Sequence, residues 1–248
     1  MTKRQAYCEI LRDLQDWETF LLIESGLPGP RANLELAQAA ADLGDASRFE
    51  AWLRFGSELA DTNSAQVFLA VCGAIGLGRL LAEGQLARLT ELRQLANDPR
   101  WRMREAVCMA LQRWGMVDMP AMLAAVEDWV REGTLLEKRA AAAAVCEPVL
   151  LKDTAIVLRV LALLDEITAG VISESDRRSA AFKTLRQGLA YCWSVAVAAY
   201  PEIGKPLMEK WLVCEDRDVR WVMKENLGKA RLERMDAAWV AQCRENHF

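Results

Sequence analysis

Four short clusters of basic and aromatic residues are the parts of this sequence best suited to binding chemistry. The clusters are Arg100, Trp101 and Arg104; Lys138 and Arg139; Arg177 and Arg178; and Arg220, Trp221 and Lys224. Cations beside tryptophan could hold phosphates or flat rings, because they attract anions and because planar groups stack on an indole face. We take these residues as the candidate partner-binding set.

Catalytic chemistry finds little support among the other residues. The only histidine, His247, is the penultimate residue, which argues against Ser–His, Cys–His and His–metal sites. No Walker loop, zinc-helix motif or GxSxG elbow is present. Carboxylate pairs occur at Asp216/Asp218 and Asp165/Glu166, and the first flanks an arginine that it is expected to cap or bind. We therefore expect no catalytic residue, metal or cofactor, although the sequence leaves the question of enzymatic activity open.

Small residues between positions 72 and 78 superficially suggest a nucleotide-binding loop. In CGAIGLG (72–78) the glycine order does not fit GxGxxG, and the preceding AQVFLAV belongs to the same predicted helix rather than to a strand. Close contact between helices through small residues is the better interpretation. The cysteines Cys72, Cys108 and Cys146 recur at near-equivalent positions, which favours buried packing over thiol reactivity.

The densest glycine and proline stretch is GLPGPR (26–31). It is typical of a rigid connection between helices that ends at an Asn33 N-cap. A binding loop is the alternative, supported by the stiffness of the segment and by Arg31.

A helix must carry the first basic cluster, in DPRWRMREAVCMALQRWG (98–115). Asp98 is placed to cap it, Pro99 suits its first turn, and Gly115 ends it. The apolar residues of this segment then follow at helical spacing and share one face: Met103, Val107, Ala110, Leu111 and Trp114.

The same frame recurs downstream and predicts a repeat architecture. Arg104, Arg139, Arg178 and Arg220 each precede apolar residues at +2, +3 and +7, and they lie 35, 39 and 42 residues apart. Each is preceded by another amphipathic segment: 86–97, 122–130, 156–167 and 206–214. Two helices in a unit of about 40 residues are typical of an α-solenoid. Degenerate units near Phe68 and Leu34, with an N-terminal helix at 4–24, give about six pairs.

DPRWRMREAVCMAL and DRDVRWVMKENLGK (216–229) resemble the second helix of HEAT repeats, whose motif is Asp-Pro/Asp…Val-Arg followed by small apolar residues. The whole chain also resembles a group of uncharacterised bacterial HEAT-repeat proteins, through GLPGPRANLELAQAAADLG, GLGRLLAEG, LLEKRAAAAAVCEP and DRDVRW. The resemblance implies an all-α, armadillo-like fold: one right-handed α-solenoid domain over 1–248, clear in 86–231 and degenerate in 1–85.

In such a solenoid the second helices line one face, so the basic clusters could stack into a strip. Arg100 and Arg104 flank the apolar face of their helix, however, while Arg102 lies on the opposite side. We therefore favour a structural ladder, in which the recurring arginine binds an aspartate of a neighbouring repeat such as Asp98 or Asp218.

Charge and composition limit the partners. The net charge is −4 and the pI about 5.3, which argues against general nucleic-acid binding. Residues 1–62 hold 6 Lys/Arg against 11 Asp/Glu, so an anionic ligand is expected further along the chain. The longest uncharged run, 62–78, is too short and polar to span a membrane. The start lacks the apolar core of a signal peptide, and seven cysteines without a CxxC pair indicate a reduced, cytoplasmic protein.

Two functions follow as expectations. The first is a non-enzymatic scaffold that binds a protein or peptide partner on the concave second-helix face. The alternative is a nucleic-acid-binding or DNA-glycosylase-like protein that uses the same basic and aromatic residues. The resemblance to HEAT-like DNA-alkylation-repair proteins would imply a groove aspartate near tryptophan and arginine, and no Trp-x-x-x-Asp match assigns one here. Some HEAT-like proteins are lyases of bilin-type chromophores, an activity that no residue of this sequence favours.

Overall fold

The computed structural model describes residues 1–248 and is all-α, with fourteen α-helices, one 3₁₀ turn and no strand. The first seven helices are α1 (Lys3–Asp13), α2 (Trp17–Glu24), α3 (Leu34–Leu43), α4 (Ala46–Leu53), α5 (Val67–Ala82), α6 (Arg88–Leu95) and α7 (Trp101–Gly115). The other seven are α8 (Met119–Glu132), α9 (Leu135–Val145), α10 (Thr154–Ser173), α11 (Ala180–Ala199), α12 (Pro201–Leu212), α13 (Arg217–Leu227) and α14 (Ala230–His247). The helices form two compact units, Met1–Asp118 and Met119–Phe248.

In the first unit the odd-numbered helices α1, α3, α5 and α7 pack in succession, and α2, α4 and α6 lie against α5. Helix α5 is the centre of this unit, because 14 of its 16 residues are buried. Its glycines allow the close approach that the sequence indicated. A Cβ at Gly78 would lie 2.5 Å from Ala110 Cα of α7, and one at Gly76 would lie 2.5 Å from the Phe49 ring of α4. CGAIGLG is therefore a packing surface inside a helix.

The second unit repeats this layering within itself. Helices α9, α11 and α13 pack in succession, and so do α8, α10, α12 and α14. Each of the pairs α8/α9, α10/α11 and α12/α13 is also in contact. The alternation agrees with the predicted order of one helix followed by a second that carries a basic cluster. None of the helices has the length and the apolar character needed to cross a bilayer.

Two predicted helix boundaries are wrong. The segment predicted as one helix over 4–24 is two helices, because the chain is extended at Leu14 and Asp16 then caps α2 through Thr19 N. Helix α7 begins at Trp101, with Arg100 at the N-cap position and no side-chain cap. Asp98 is not its cap. The Asp98 carboxylate instead accepts hydrogen bonds from the Arg100 backbone at 2.8 Å and from its guanidinium.

Buried and half-buried carboxylates tie successive helices together by ion pairs. In the first unit Asp42 of α3 binds Arg4 of α1 and Arg113 of α7, each at 2.6 Å. In the second unit Asp218, which is 2% exposed, binds Arg177 at 3.2 Å and Arg186 at 2.5 Å. An arginine–aspartate bridge between repeats is present there, but Arg177 and Arg186 make it, and the recurring arginine Arg178 that was predicted to make it does not.

These ion pairs set the acidity of both aspartates. Burial by itself raises the pKa of a carboxyl group, but the hydrogen bonds from the arginines outweigh it. The pKa of Asp42 and that of Asp218 therefore lie below the ordinary value. Both carboxylates are ionised at neutral pH and stabilise the fold only in that form.

Candidate functional site

The first unit contains a cavity of about 670 Å³ where the end of the loop 25–33 and the start of α3 meet the first turns of α7. We call it the Trp101 groove. Its larger apolar and aromatic lining residues are Tyr7, Pro30, Leu34, Val71, Trp101 and Met109. Its charged lining consists of Lys3, Arg31, Glu35, Arg102 and Glu105. The groove therefore combines an apolar floor with both signs of charge.

The loop 25–33 holds one rim of the groove in a fixed conformation. Gly26 has φ +74°, a left-handed value that a residue with a side chain rarely adopts, and a Cβ there would lie 2.9 Å from Arg31 O. The buried Ser25 hydroxyl donates to Leu22 O at 2.8 Å and accepts from Leu27 N at 3.0 Å. GLPGPR is thus a stiff connection, as predicted, and it also lines a cavity.

Asn33 joins this loop to the neighbouring helices. Its side-chain oxygen accepts from Leu36 N at 3.2 Å, which confirms the predicted cap of α3. Its amide nitrogen donates to Tyr7 Oη at 2.9 Å and to Glu24 O at 2.9 Å. Tyr7 is therefore positioned in the groove by the residue that begins α3.

Arg102 connects the loop 25–33, which borders the groove, to the loop 54–66. It is 5% exposed, and its guanidinium donates from Nε to Thr62 O at 2.8 Å and from Nη2 to Gly29 O at 2.7 Å. The guanidinium carbon lies 4.4 Å from the centroid of the Trp101 ring. Burial lowers the pKa of Arg102, and no carboxylate forms an ion pair with it. A buried charge held only by carbonyl groups is costly unless a further acceptor reaches it.

The beginning of α7 has backbone donors without a partner in the chain. Asp98 and the carbonyl groups of Phe55 and Ala60 hold the guanidinium of Arg100, which is 4% exposed. No side chain caps this helix, and the backbone N–H groups of Trp101 and Arg102 have no acceptor within the chain. Unpaired N–H groups at a helix N-terminus carry partial positive charge.

Two exposed cations complete the positive lining of the groove. Lys3 and Arg31 lie at its edge, and neither forms an ion pair or a side-chain hydrogen bond. Both come from the segment 1–62, in which acidic residues outnumber basic ones. The tertiary fold thus gathers two of the six cations of that segment beside Arg102 of α7.

The first predicted cluster contributes one side chain to this groove. Trp101 is 46% exposed and lines it. Arg100 is buried against Asp98, and Arg104 donates from Nη1 to Asp98 O and Pro99 O, each at 2.8 Å. Those two arginines therefore hold the segment that begins α7.

The predicted clusters of the second unit are mostly occupied by contacts within the chain. Arg177 binds Asp216 at 2.6 Å, and Trp221 is covered by the guanidinium of Arg186 at 4.3 Å. Arg178 is exposed, without a side-chain partner. The bridge between repeats is made by Arg177 and Arg186 and not by the repeat arginine Arg178.

Helices α9 and α13 carry the remaining candidates. Lys138 and Arg139 are half-buried on α9. Arg220 donates to His247 O at 2.7 Å and lies 5.2 Å from the Phe248 ring, and Lys224 lies 5.4 Å from the same ring. The C-terminal residues therefore cover part of this cluster.

Sequence reasoning missed Arg102, Lys3 and Tyr7 as residues of a site. Helical spacing places Arg102 on the face of its helix opposite the core, where an arginine is usually solvated. Only the loops 25–33 and 54–66, which fold over that face, enclose it. The one available signal was Arg31 in GLPGPR, which supported the alternative of a binding loop.

No group of three or more histidine, cysteine, aspartate or glutamate side chains is placed to hold a metal ion. The arrangement can instead present an aromatic surface, an apolar floor and cationic N–H donors to a ligand.

No protein-family model matches the chain, and neither a curated protein nor a solved structure matches it.

Proposed function

We propose that this protein is a non-enzymatic helical-repeat binding protein, and that the Trp101 groove takes a short peptide segment of a protein partner. The observation that supports this most directly is the groove itself. It has about 670 Å³ of space, within the range of about 300–1,000 Å³ that ligand sites usually offer. Its rims are held by hydrogen bonds, so little ordering is needed when a partner binds.

The lining favours a peptide over a purely polar ligand. Leu34 is 45% exposed and Trp101 46% exposed, although each has a large apolar side chain. Exposed aromatic residues beside a pocket are frequent anchors of protein interfaces, because they bury a large area at low entropic cost. Tyr7 lines the same cavity, and its hydroxyl accepts a hydrogen bond from Asn33.

The arrangement of the helices as repeats is also part of this proposal. We infer a right-handed α-solenoid of about six HEAT-like pairs, in which the partner-binding residues lie on the second helices. The succession of odd-numbered helices within each unit supports this, as do the spacings of 35, 39 and 42 residues between the repeat arginines.

A selection of peptides tests the proposal. The purified chain would be presented to a displayed library of random twelve-residue peptides, and the Kd of each enriched peptide would be measured by fluorescence anisotropy. We expect Trp101→Ala to weaken the enriched peptides by about thirtyfold, the effect of losing a central aromatic anchor. Ile23→Ala is the matched control, because Ile23 is 72% exposed in the same unit and does not line the groove.

Two results would overturn the peptide proposal. One is the absence of any peptide enriched above an empty support. The other is enrichment of peptides that bind Trp101→Ala as tightly as the parent chain. A short DNA duplex tested at low salt separates the nucleic-acid alternative, since binding that depends on Trp101 and weakens steeply with salt would favour that alternative instead.

A further inference from the structure

The charge of Arg102 is not neutralised by the protein. Its Nε and Nη2 atoms donate to Thr62 O and Gly29 O, and Asn63 Oδ1 lies 3.5 Å from Nη2. The Nη1 atom has no hydrogen-bond partner in the chain. It is not fully enclosed, so a ligand can reach it. The side chain is at least nine-tenths buried and lines the Trp101 groove. It therefore has two N–H groups left for a ligand.

The N-terminus of α7 reinforces this position independently. The backbone N–H groups of Trp101 and Arg102 have no acceptor, and the fifteen-residue helix directs its positive end toward them. The partial positive charge of this helix end favours an anion bound to the guanidinium of Arg102, which lies in the first turn. Trp101 covers one face of that guanidinium at 4.4 Å, and a carboxylate binds a guanidinium in its plane, through the N–H groups.

The remaining charges of the groove select the size of the anion. Lys3, Arg31 and Arg102 supply three positive charges, and Glu35 and Glu105 supply two negative ones. A chain of phosphates would lie against both glutamates and be repelled. A single carboxylate next to an apolar or aromatic group would meet Arg102 and the apolar floor without that cost.

We propose that Arg102 forms an anchor for one carboxylate of the bound ligand, with the adjoining apolar group against Trp101 and Leu34. This inference rests on the proposed function for the identity of the ligand as a peptide. The carboxylate comes from an aspartate or glutamate side chain or from a free C-terminus, and the two sources share the same chemistry at Arg102.

Matched pairs of small probes test the anchor without the peptide selection. One pair is N-acetylphenylalanine and its amide, which differ in a C-terminal carboxylate. The other is acetyl-Glu-Phe-amide and acetyl-Gln-Phe-amide, which differ in a side-chain carboxylate. Each is titrated into the ¹⁵N-labelled full chain, and the Arg102 Nε–Hε and Trp101 indole N–H signals are followed. We expect at least one carboxylate probe to bind about tenfold more tightly than its neutral partner and to shift the Arg102 signal.

Variants locate the effect. Arg102→Lys keeps the positive charge, but an ammonium group cannot reach both loop carbonyl groups and a ligand at once. The preference for the carboxylate probes should therefore disappear. A thermal melt and a circular dichroism spectrum verify that this variant folds. The double variant Lys3→Gln/Arg31→Gln changes exposed cations only and should weaken the carboxylate probe about twofold, with loss of that effect at high salt. Arg54→Gln is the control, because Arg54 is exposed in the same unit and does not line the groove.

The outcomes separate the anchor from the peptide proposal. Equal affinity within both probe pairs, or binding that leaves the Arg102 signal unmoved, refutes the anchor even if selected peptides still depend on Trp101. A carboxylate preference at Arg102 supports the anchor even if no peptide is enriched, in which case the peptide proposal fails and a small carboxylate ligand replaces it.

Discussion

Replacement of Gly78 by alanine tests the close packing at the centre of the first unit. A Cβ at this position would lie 2.5 Å from Ala110 Cα, and the Ala110 carbonyl oxygen is closer still. Ordinary contacts between such atoms are about 3.5–4.0 Å. Because the obstruction is backbone, no rotamer change relieves it, and α5 must move about 1 Å away from α7.

The expected magnitude is the difference of two effects. Overpacking of this kind costs about 1–3 kcal/mol, and the upper end applies because backbone cannot yield locally. Alanine is a better helix former than glycine by about 1 kcal/mol, which offsets part of the cost. We therefore expect Gly78→Ala to lower the free energy of unfolding by about 2 kcal/mol, which corresponds to roughly 8 °C in Tm for a unit of this size.

Differential scanning calorimetry measures the change, and Gly170→Ala is the matched control. Gly170 also lies inside a helix, α10, but a Cβ there would meet no atom within 4 Å. That variant should gain about 1 kcal/mol from helix propensity alone. If Gly78→Ala is as stable as the parent chain, or is stabilised like Gly170→Ala, the close approach of α5 and α7 is wrong. The interpretation of CGAIGLG as a packing surface would then fall with it.

Three further predictions concern the buried carboxylates and thiols. Asp218→Asn should lower the free energy of unfolding of the second unit by about 2 kcal/mol, because Arg177 and Arg186 lose the carboxylate that they share. Urea unfolding measures the change, and an unchanged midpoint would show that these ion pairs do not stabilise the fold. The folded-state pKa of Asp42 and that of Asp218 lie below the unfolded value of about 3.9. Their contribution is therefore complete above that value and lost as the pH falls through the folded pKa, so stability should be flat from about pH 7 to 5 and fall below about pH 4. Asp218→Asn should reduce that fall, and a fall of unchanged size would assign it to other groups. Burial raises the pKa of the Cys72 thiol. An aromatic disulfide reagent should therefore modify Cys72 only on unfolding and should modify the half-buried Cys214 sooner. Equal rates of modification would contradict the burial of α5.

Much of the helical architecture could be predicted from local patterns. The spacing of Met103, Val107 and Leu111 predicted the buried face of α7, and all three are buried. Asn33 predicted the start of α3 because an N-cap is a local hydrogen bond between residues three positions apart. Local signals were less decisive at Asp98, where the carboxylate had a competing partner. The Asp98 carboxylate binds the neighbouring Arg100 guanidinium, and α7 begins at Trp101, after the predicted first turn.

The candidate site could be predicted only in part. The sequence predicts Trp101 to be a binding residue beside cations, and Trp101 is 46% exposed and lines a groove. The other predicted arginines were identified by type, and residue type does not reveal which carboxylate or carbonyl group will reach a guanidinium. Arg177 is held by Asp216, 39 residues away, and such distant pairs leave no periodic trace in a single sequence.

By itself, the sequence determined that this chain is all-α, with buried faces at helical spacing and small residues where helices approach closely. These properties are local, because propensity, capping and amphipathic spacing act within a few turns of the chain. Only the tertiary structure decided which cations are neutralised and which remain available. Arg102 became a buried donor because the loops 25–33 and 54–66, distant from it in sequence, fold over α7 and supply carbonyl oxygens but no carboxylate.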